Sequence, residues 1–156
     1  MSLYLILKWL HVIGAAVLFG TGAGIAFFMF MAHRTRDPTL IAHTTGVVVI
    51  ADLVFTATAV TLQPVTGATL AFIAGFPLFR GWVALSLGLY VLVGAFWLPV
   101  VWMQLRMRDL ARRAASEGAP LPDEYHRLWR LWFAFGFPAF GAVLAILWLM
   151  IAKPSF

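Results

Sequence analysis

The chain has 156 residues, 63% of them hydrophobic and 11% charged, with a formal net charge of +5 and no cysteine. A water-soluble domain carries about 25% charged and about 45–50% apolar residues. At a mean hydropathy of +0.94, this chain therefore lacks the polar surface of a soluble enzyme or nucleic-acid module, and an aromatic content of 15% opposes disorder.

Spanning a hydrocarbon core about 30 Å thick takes about 20 apolar helical residues. The chain offers four such runs, near residues 3–32, 39–63, 80–107 and 124–152. The first is interrupted only by Lys8 and His11, and it is too long and lacks the basic start of a cleavable signal peptide. The second opens after Asp37-Pro38, with Pro acceptable in a first turn, and is expected to stop where Gln63-Pro64-Val65-Thr66-Gly67 reads as a break. Residues 66–79, apolar but short, then form an interfacial segment on the outer side. The third span is expected to continue as a helix into water through Arg106 and Ala115, turning at Ser116-Glu117-Gly118-Ala119-Pro120. Asp123 and Glu124 suit the positive end of the fourth helix, and Gly136-Phe137-Pro138 predicts a kink within it. The expected fold is all-α, a single transmembrane domain of residues 1–156 forming a four-helix bundle.

Arg34 and Arg36 lie between spans one and two, and Arg106, Arg108, Arg112, Arg113, Arg127 and Arg130 lie around the connection between three and four. These eight of the 11 basic residues fall on one side of a four-span alternation. The positive-inside rule makes that side cytoplasmic and both termini periplasmic, in a bacterial inner membrane. The remaining three, Lys8, Arg80 and Lys153, fall on the outer side.

Ionisable side chains inside a bilayer are functional candidates because burying them is costly. Converting position to height at 1.5 Å per residue puts His11 about 10 Å outside the midplane, Asp52 near it and His43 about 12 Å inside. His33 and His126 fall at the inner interface. His11 therefore cannot share one metal with His43 or His126 in the same subunit. It lies on a stripe with Lys8, Ala15, Leu18 and Gly22, and Gly14, Ala15 and Gly22 leave room for a partner backbone or a flat cofactor. Met150, Lys8 or His11 of a second subunit are its neighbours by height. His11 reads either as a metal or haem ligand or as an interhelical hydrogen-bonding residue.

Asp52 is the one acid within a span, and Thr56 and Gln63 share its helix face. The three line an ion or proton path, or Asp52 is a neutral packing residue hydrogen-bonded to Tyr90, which has a similar expected depth. Arg80 with Lys8 and Lys153 could hold acidic groups such as haem propionates or lipid phosphates, or simply snorkel. No Gly-rich phosphate loop, HExxH or serine–histidine pair is present, so nucleotide is not an expected partner, and basic residues clustered beside apolar spans suit membrane topology rather than nucleic acid.

Tyr4-Leu5-Ile6-Leu7-Lys8-Trp9-Leu10-His11, Phe19-Gly20-Thr21-Gly22, Leu62-Gln63-Pro64-Val65-Thr66-Gly67, and Leu131-Trp132-Phe133 with Gly136-Phe137-Pro138-Ala139-Phe140 resemble a bacterial family of small predicted integral membrane proteins of unknown function. This resemblance spans nearly the whole chain. More distantly, Leu7-Lys8-Trp9-Leu10-His11 is similar to the first helix of HemJ-type protoporphyrinogen oxidases and CopD-type copper-resistance membrane proteins. The HemJ-type resemblance implies haem b with His11 as axial ligand. That family's basic residue in a later helix has no matching Lys here, and Arg80 is the candidate for it.

Three functions follow as expectations. The first is a haem-b redox protein, a possible oxidoreductase, with His11 as axial ligand, Met150 as second ligand, and Arg80 and Lys8 as propionate partners. The second is an accessory or structural membrane subunit, homo-oligomeric or bound to a partner subunit. The third is a small transporter or channel subunit using Asp52, Thr56 and Gln63.

Overall fold

The computed structural model describes residues 2–155 and is all-helical over them. Helix α1 runs Leu3–Thr35, α2 Pro38–Ala51, α3 Ala57–Ile73, α4 Gly81–Glu117 and α5 Asp123–Ala152. A π-helical turn, Asp52–Thr56, joins α2 to α3 without interruption. The two form one span of 36 residues, Pro38–Ile73, and the described residues contain four helices long and apolar enough to cross a membrane.

Local chemistry sets the boundaries. Asp37 accepts the free Thr39 and Leu40 amides at 2.7 and 3.3 Å, and Pro38 occupies the first turn, where its missing N–H costs nothing. Gly118 ends α4 in the left-handed conformation at φ +60°, which glycine adopts without a Cβ penalty. Glu124 opens α5 and accepts Arg106 Nε and Nη2 at 2.8 and 3.2 Å, pinning the hairpin on its exposed side.

The second span departs from the sequence expectation. It does not stop at Gln63 but continues through Pro64 to Ile73, so residues 66–73 are helix and only 74–80 form the connection. The interfacial segment expected over 66–79 is therefore mostly the last two turns of α3. This moves the middle of the span from near residue 51 to near residue 56, setting Asp52 about one turn closer to the Arg-rich end.

Helix α4 does continue past Arg106, as expected, but it is not free in water. Met107, Leu110, Ala111 and Ala114 are buried. They join Ile25, Met29 and Ala32 of α1, Ile41 and Val48 of α2, and Tyr125, Leu128, Trp129 and Trp132 of α5 in one apolar core, with Ala114 alongside. That core fills the Arg-rich half. Towards the termini, α1 packs on α3 through His11, Gln63 and Thr66. Large apolar side chains such as Trp9, Val54, Phe55, Leu98 and Phe137 point outward, as a lipid-facing surface requires.

Candidate functional site

Among the described residues, the buried polar side chains are Thr45, Asp52, Thr56, Gln63, Thr66, Ser86 and Gln104. Five of these seven stand on the second span, separated by seven, four, seven and three residues. Those spacings keep them on one stripe of a helix. The expected common face of Asp52, Thr56 and Gln63 is thus the face turned into the bundle. A third of this span's most apolar stretch is buried, against about a tenth for each of the others, so it is the central element and its polar stripe runs through the protein interior.

Asp52 is 4% exposed and begins the π turn, a distortion frequent at functional sites. Its N–H partners both come from α4, and one of them is tied in turn to α5. Trp97 Nε1 donates to Oδ1 at 3.5 Å, a long bond. With the Gln104 amide oriented to satisfy both of its ends, Nε2 donates to Oδ2 at 2.8 Å and Oε1 accepts from Trp132 Nε1 at 3.3 Å. Asp52 makes no ion pair among the described residues; Arg106–Glu124 and Arg108–Asp109 are the pairs present. Thr56, one turn on, lies within reach of the carboxyl, yet its buried hydroxyl makes no aligned hydrogen bond with any described group.

Tyr90, expected beside Asp52, is elsewhere. Its hydroxyl donates to the Val60 carbonyl. Pro64 has no N–H, so the carbonyl four residues before it, Val60, has lost its helical donor. Tyr90 supplies one from across the bundle. In a bilayer no water would otherwise satisfy that carbonyl, and this explains why the helix survives a residue that reads as a break. Tyr90→Phe strands the carbonyl. Interhelical hydrogen bonds in membranes contribute about 0.6 kcal/mol on average and at most about 1.7, so a loss of about 1 kcal/mol is expected in equilibrium unfolding from mixed micelles. Unchanged stability would show that Val60 needs no donor.

His11 faces α3. Its Nδ1 lies 2.8 Å from Thr66 Oγ1, and that hydroxyl also lies 2.8 Å from the Leu62 carbonyl. The single hydroxyl proton goes to Leu62, so Nδ1 carries a proton and donates to Thr66, leaving the Nε2 lone pair free. Gln63 Nε2 donates to the His11 carbonyl at 2.8 Å, and the Gln63 amide fills the space over Gly14. A Cβ on Gly67 would come within 3.0 Å of the His11 ring. The room left by small residues in this seam is thus taken by side chains of the same chain. A Cβ on Gly22, expected on the same packing stripe, would meet no other group within 4 Å beyond its own helix backbone.

The other residues nominated with His11 are spread out. Lys8 is exposed with Nζ 6.0 Å from the Tyr4 ring, Arg80 is exposed at the start of α4, and Met150 is half-buried near the end of α5. No hydrogen bond or ion pair joins any of them to His11 among the described residues. At the Arg-rich end, His33 meets His126, with ring centroids 6.1 Å apart. It stacks on Trp129 at 4.0 Å and 7°, and its Nδ1 lies 3.2 Å from the Tyr125 hydroxyl. His43 is exposed, and no group of three His, Cys, Asp or Glu suited to a metal exists among the described residues.

Sequence reasoning missed Gln104, Trp97 and Thr66. Gln104 follows Trp97 by seven residues, two helical turns, so their shared face was available from spacing. An amide in an apolar run was the signal. It read instead as the point where the apolar part of the third span stops. Thr66 was hidden by the expected break at Pro64.

Compared with known proteins, residues 5–154 match the model of a family described as "Predicted integral membrane protein (DUF2269)". Neither a curated protein nor a solved structure matches the chain.

Proposed function

The chain belongs to this family of predicted integral membrane proteins, and from that premise we propose that its second span handles protons within the bilayer, with Asp52 as the group that binds them. The observation that carries the reading is a buried carboxyl inside a membrane helix, held by two N–H donors from α4 and with no cation paired to it among the described residues. A purely structural residue at such a place would be cheaper as an amide or an apolar side chain, since ionisable groups within membranes are costly and cluster on ion and proton pathways.

The donor set favours a proton over a metal ion. Trp97, Gln104 and Trp132 all present N–H groups, and the Gln104 oxygen is engaged by Trp132. That leaves the two Asp52 oxygens and the Thr56 hydroxyl, whereas a hard cation asks for about six or more oxygens. From Asp52 towards the termini, the polar stripe continues through Thr56, Gln63 and Thr66 to His11. The test is proton flux in proteoliposomes, parent against Asp52→Asn.

A second reading has one observation in its favour. The Nδ1–H of His11 is held by Thr66, and a hydrogen bond on one ring nitrogen is how metal-binding histidines are usually oriented for coordination through the other. His11 would then be the axial ligand of haem b, which would supply electron transfer. The filled seam over Gly14 and Gly67 supplies no cradle for such a group, and this places the reading second. Oxidised and dithionite-reduced spectra of protein from haem-sufficient cells decide it. The haem reading expects Soret and α bands that vanish in His11→Ala; a colourless protein removes it.

A further inference from the structure

Hydroxyls in membrane helices commonly satisfy themselves by donating to the carbonyl four residues back. Thr45, Thr58, Thr61, Thr66, Thr69 and Ser86 all do so here. Thr56 does not. The carbonyl four residues before it is that of Asp52, and the π register gives this carbonyl to the Ala57 N–H five residues on. The same local distortion that starts at Asp52 thus leaves the Thr56 hydroxyl free. It is 7% exposed, and it is the one buried side-chain polar atom without a partner among the described residues.

An idle hydroxyl buried within reach of a carboxyl is costly unless one state of that carboxyl uses it. The ionised carboxyl has donors already, from Trp97 and Gln104. The protonated carboxyl acquires an O–H that needs an acceptor, and its neighbours Trp97 Nε1 and Gln104 Nε2 are donors that cannot take it. The Thr56 oxygen has free lone pairs and stands one turn along the same face.

Resting on the proton-handling reading, we propose that Thr56 is the second half of the proton-binding site. Its hydroxyl accepts the hydrogen bond of the protonated Asp52 carboxyl. On release, the proton passes from the Asp52 oxygen to water as the external base, and the hydroxyl rotates to donate to the carboxylate. Thr56 itself neither gains nor loses a proton; it is a positioning residue, able to serve both states because a hydroxyl is donor and acceptor at once. Trp97, with its 3.5 Å bond, is the donor that yields when Oδ1 carries the proton.

The test is infrared difference spectroscopy of the full-length protein in lipid, titrated in pH, with Asp52→Asn used to assign the Asp52 carboxyl band. Thr56→Val keeps the side-chain shape and removes the hydroxyl; Thr56→Ala serves if the valine variant does not fold. The expected result is a shift of the protonated-carboxyl C=O band to higher wavenumber in Thr56→Val, with recovery in Thr56→Ser. Proton flux falls about tenfold, the factor expected for one lost hydrogen bond to a reacting group. An Asp52 band that is unmoved in Thr56→Val, or the absence at every pH of a protonated-carboxyl band lost in Asp52→Asn, overturns the proposal. A shifted band together with parental flux in Asp52→Asn would leave the Asp52–Thr56 pair standing and remove the transport reading instead.

Discussion

Gln104→Leu is expected to lower stability by about 2–3 kcal/mol, more than other single hydrogen-bonding substitutions in the bundle. One amide serves two buried partners on different helices. Its nitrogen donates to Asp52 on the second span and its oxygen accepts from Trp132 on α5. Leucine matches the volume, so the loss is polar rather than steric. It strands an indole N–H in the apolar core and takes the closest donor from the carboxyl. A buried group left without a partner costs about 1–3 kcal/mol. Membrane hydrogen bonds measured singly fall lower, to about 0.6–1.7 kcal/mol, so two stranded partners add to the expected figure. Gln104→Glu can accept from Trp132 but faces Asp52 with a second carboxyl, and should be no better. Unfolding equilibria in mixed micelles would measure both. A Gln104→Leu protein as stable as the parent would mean that Asp52 and Trp132 do not depend on this amide.

Asp52→Asn should behave in the opposite way, nearly silent in stability and severe in transport. Asparagine keeps the shape, its oxygen can accept from Gln104, its own amide can donate to the free Thr56 hydroxyl, and only the long 3.5 Å bond from Trp97 is given up. The bundle loses little, within about 1 kcal/mol. What disappears is the capacity to gain and lose a proton. The contrast separates the two roles that a buried polar residue can have: Gln104 holds helices together, whereas Asp52 is worth its burial only for its chemistry.

Much of this molecule was legible in the sequence because a bilayer leaves few solutions. Four apolar runs of spanning length can only be helices, and a lone acid with Thr56 and Gln63 at whole-turn spacing must turn inward. Pro64 was misread because its tolerance depends on Tyr90, 26 residues later in the chain, donating to Val60; no local signal carries that. The misreading then propagated. A span cut at Gln63 has its middle near Asp52, which set that acid level with Tyr90, when its partners are Trp97 and Gln104. His11 was singled out as a polar group within a span, but its partner Thr66 had been assigned to a surface segment. The π turn at Asp52–Thr56 has no signature in residue type, and with it the free hydroxyl of Thr56 was invisible.

The central claim is that Asp52 binds and releases protons in the membrane. Purified parent and Asp52→Asn proteins, reconstituted at equal density into liposomes loaded with a pH-sensitive dye, would be compared under an imposed pH gradient and potential. Gradient-driven proton flux above protein-free liposomes in the parent, and flux at the protein-free level in Asp52→Asn, is the result the structure leads to expect. Equal flux in the two proteins, or none above background in the parent, would contradict it.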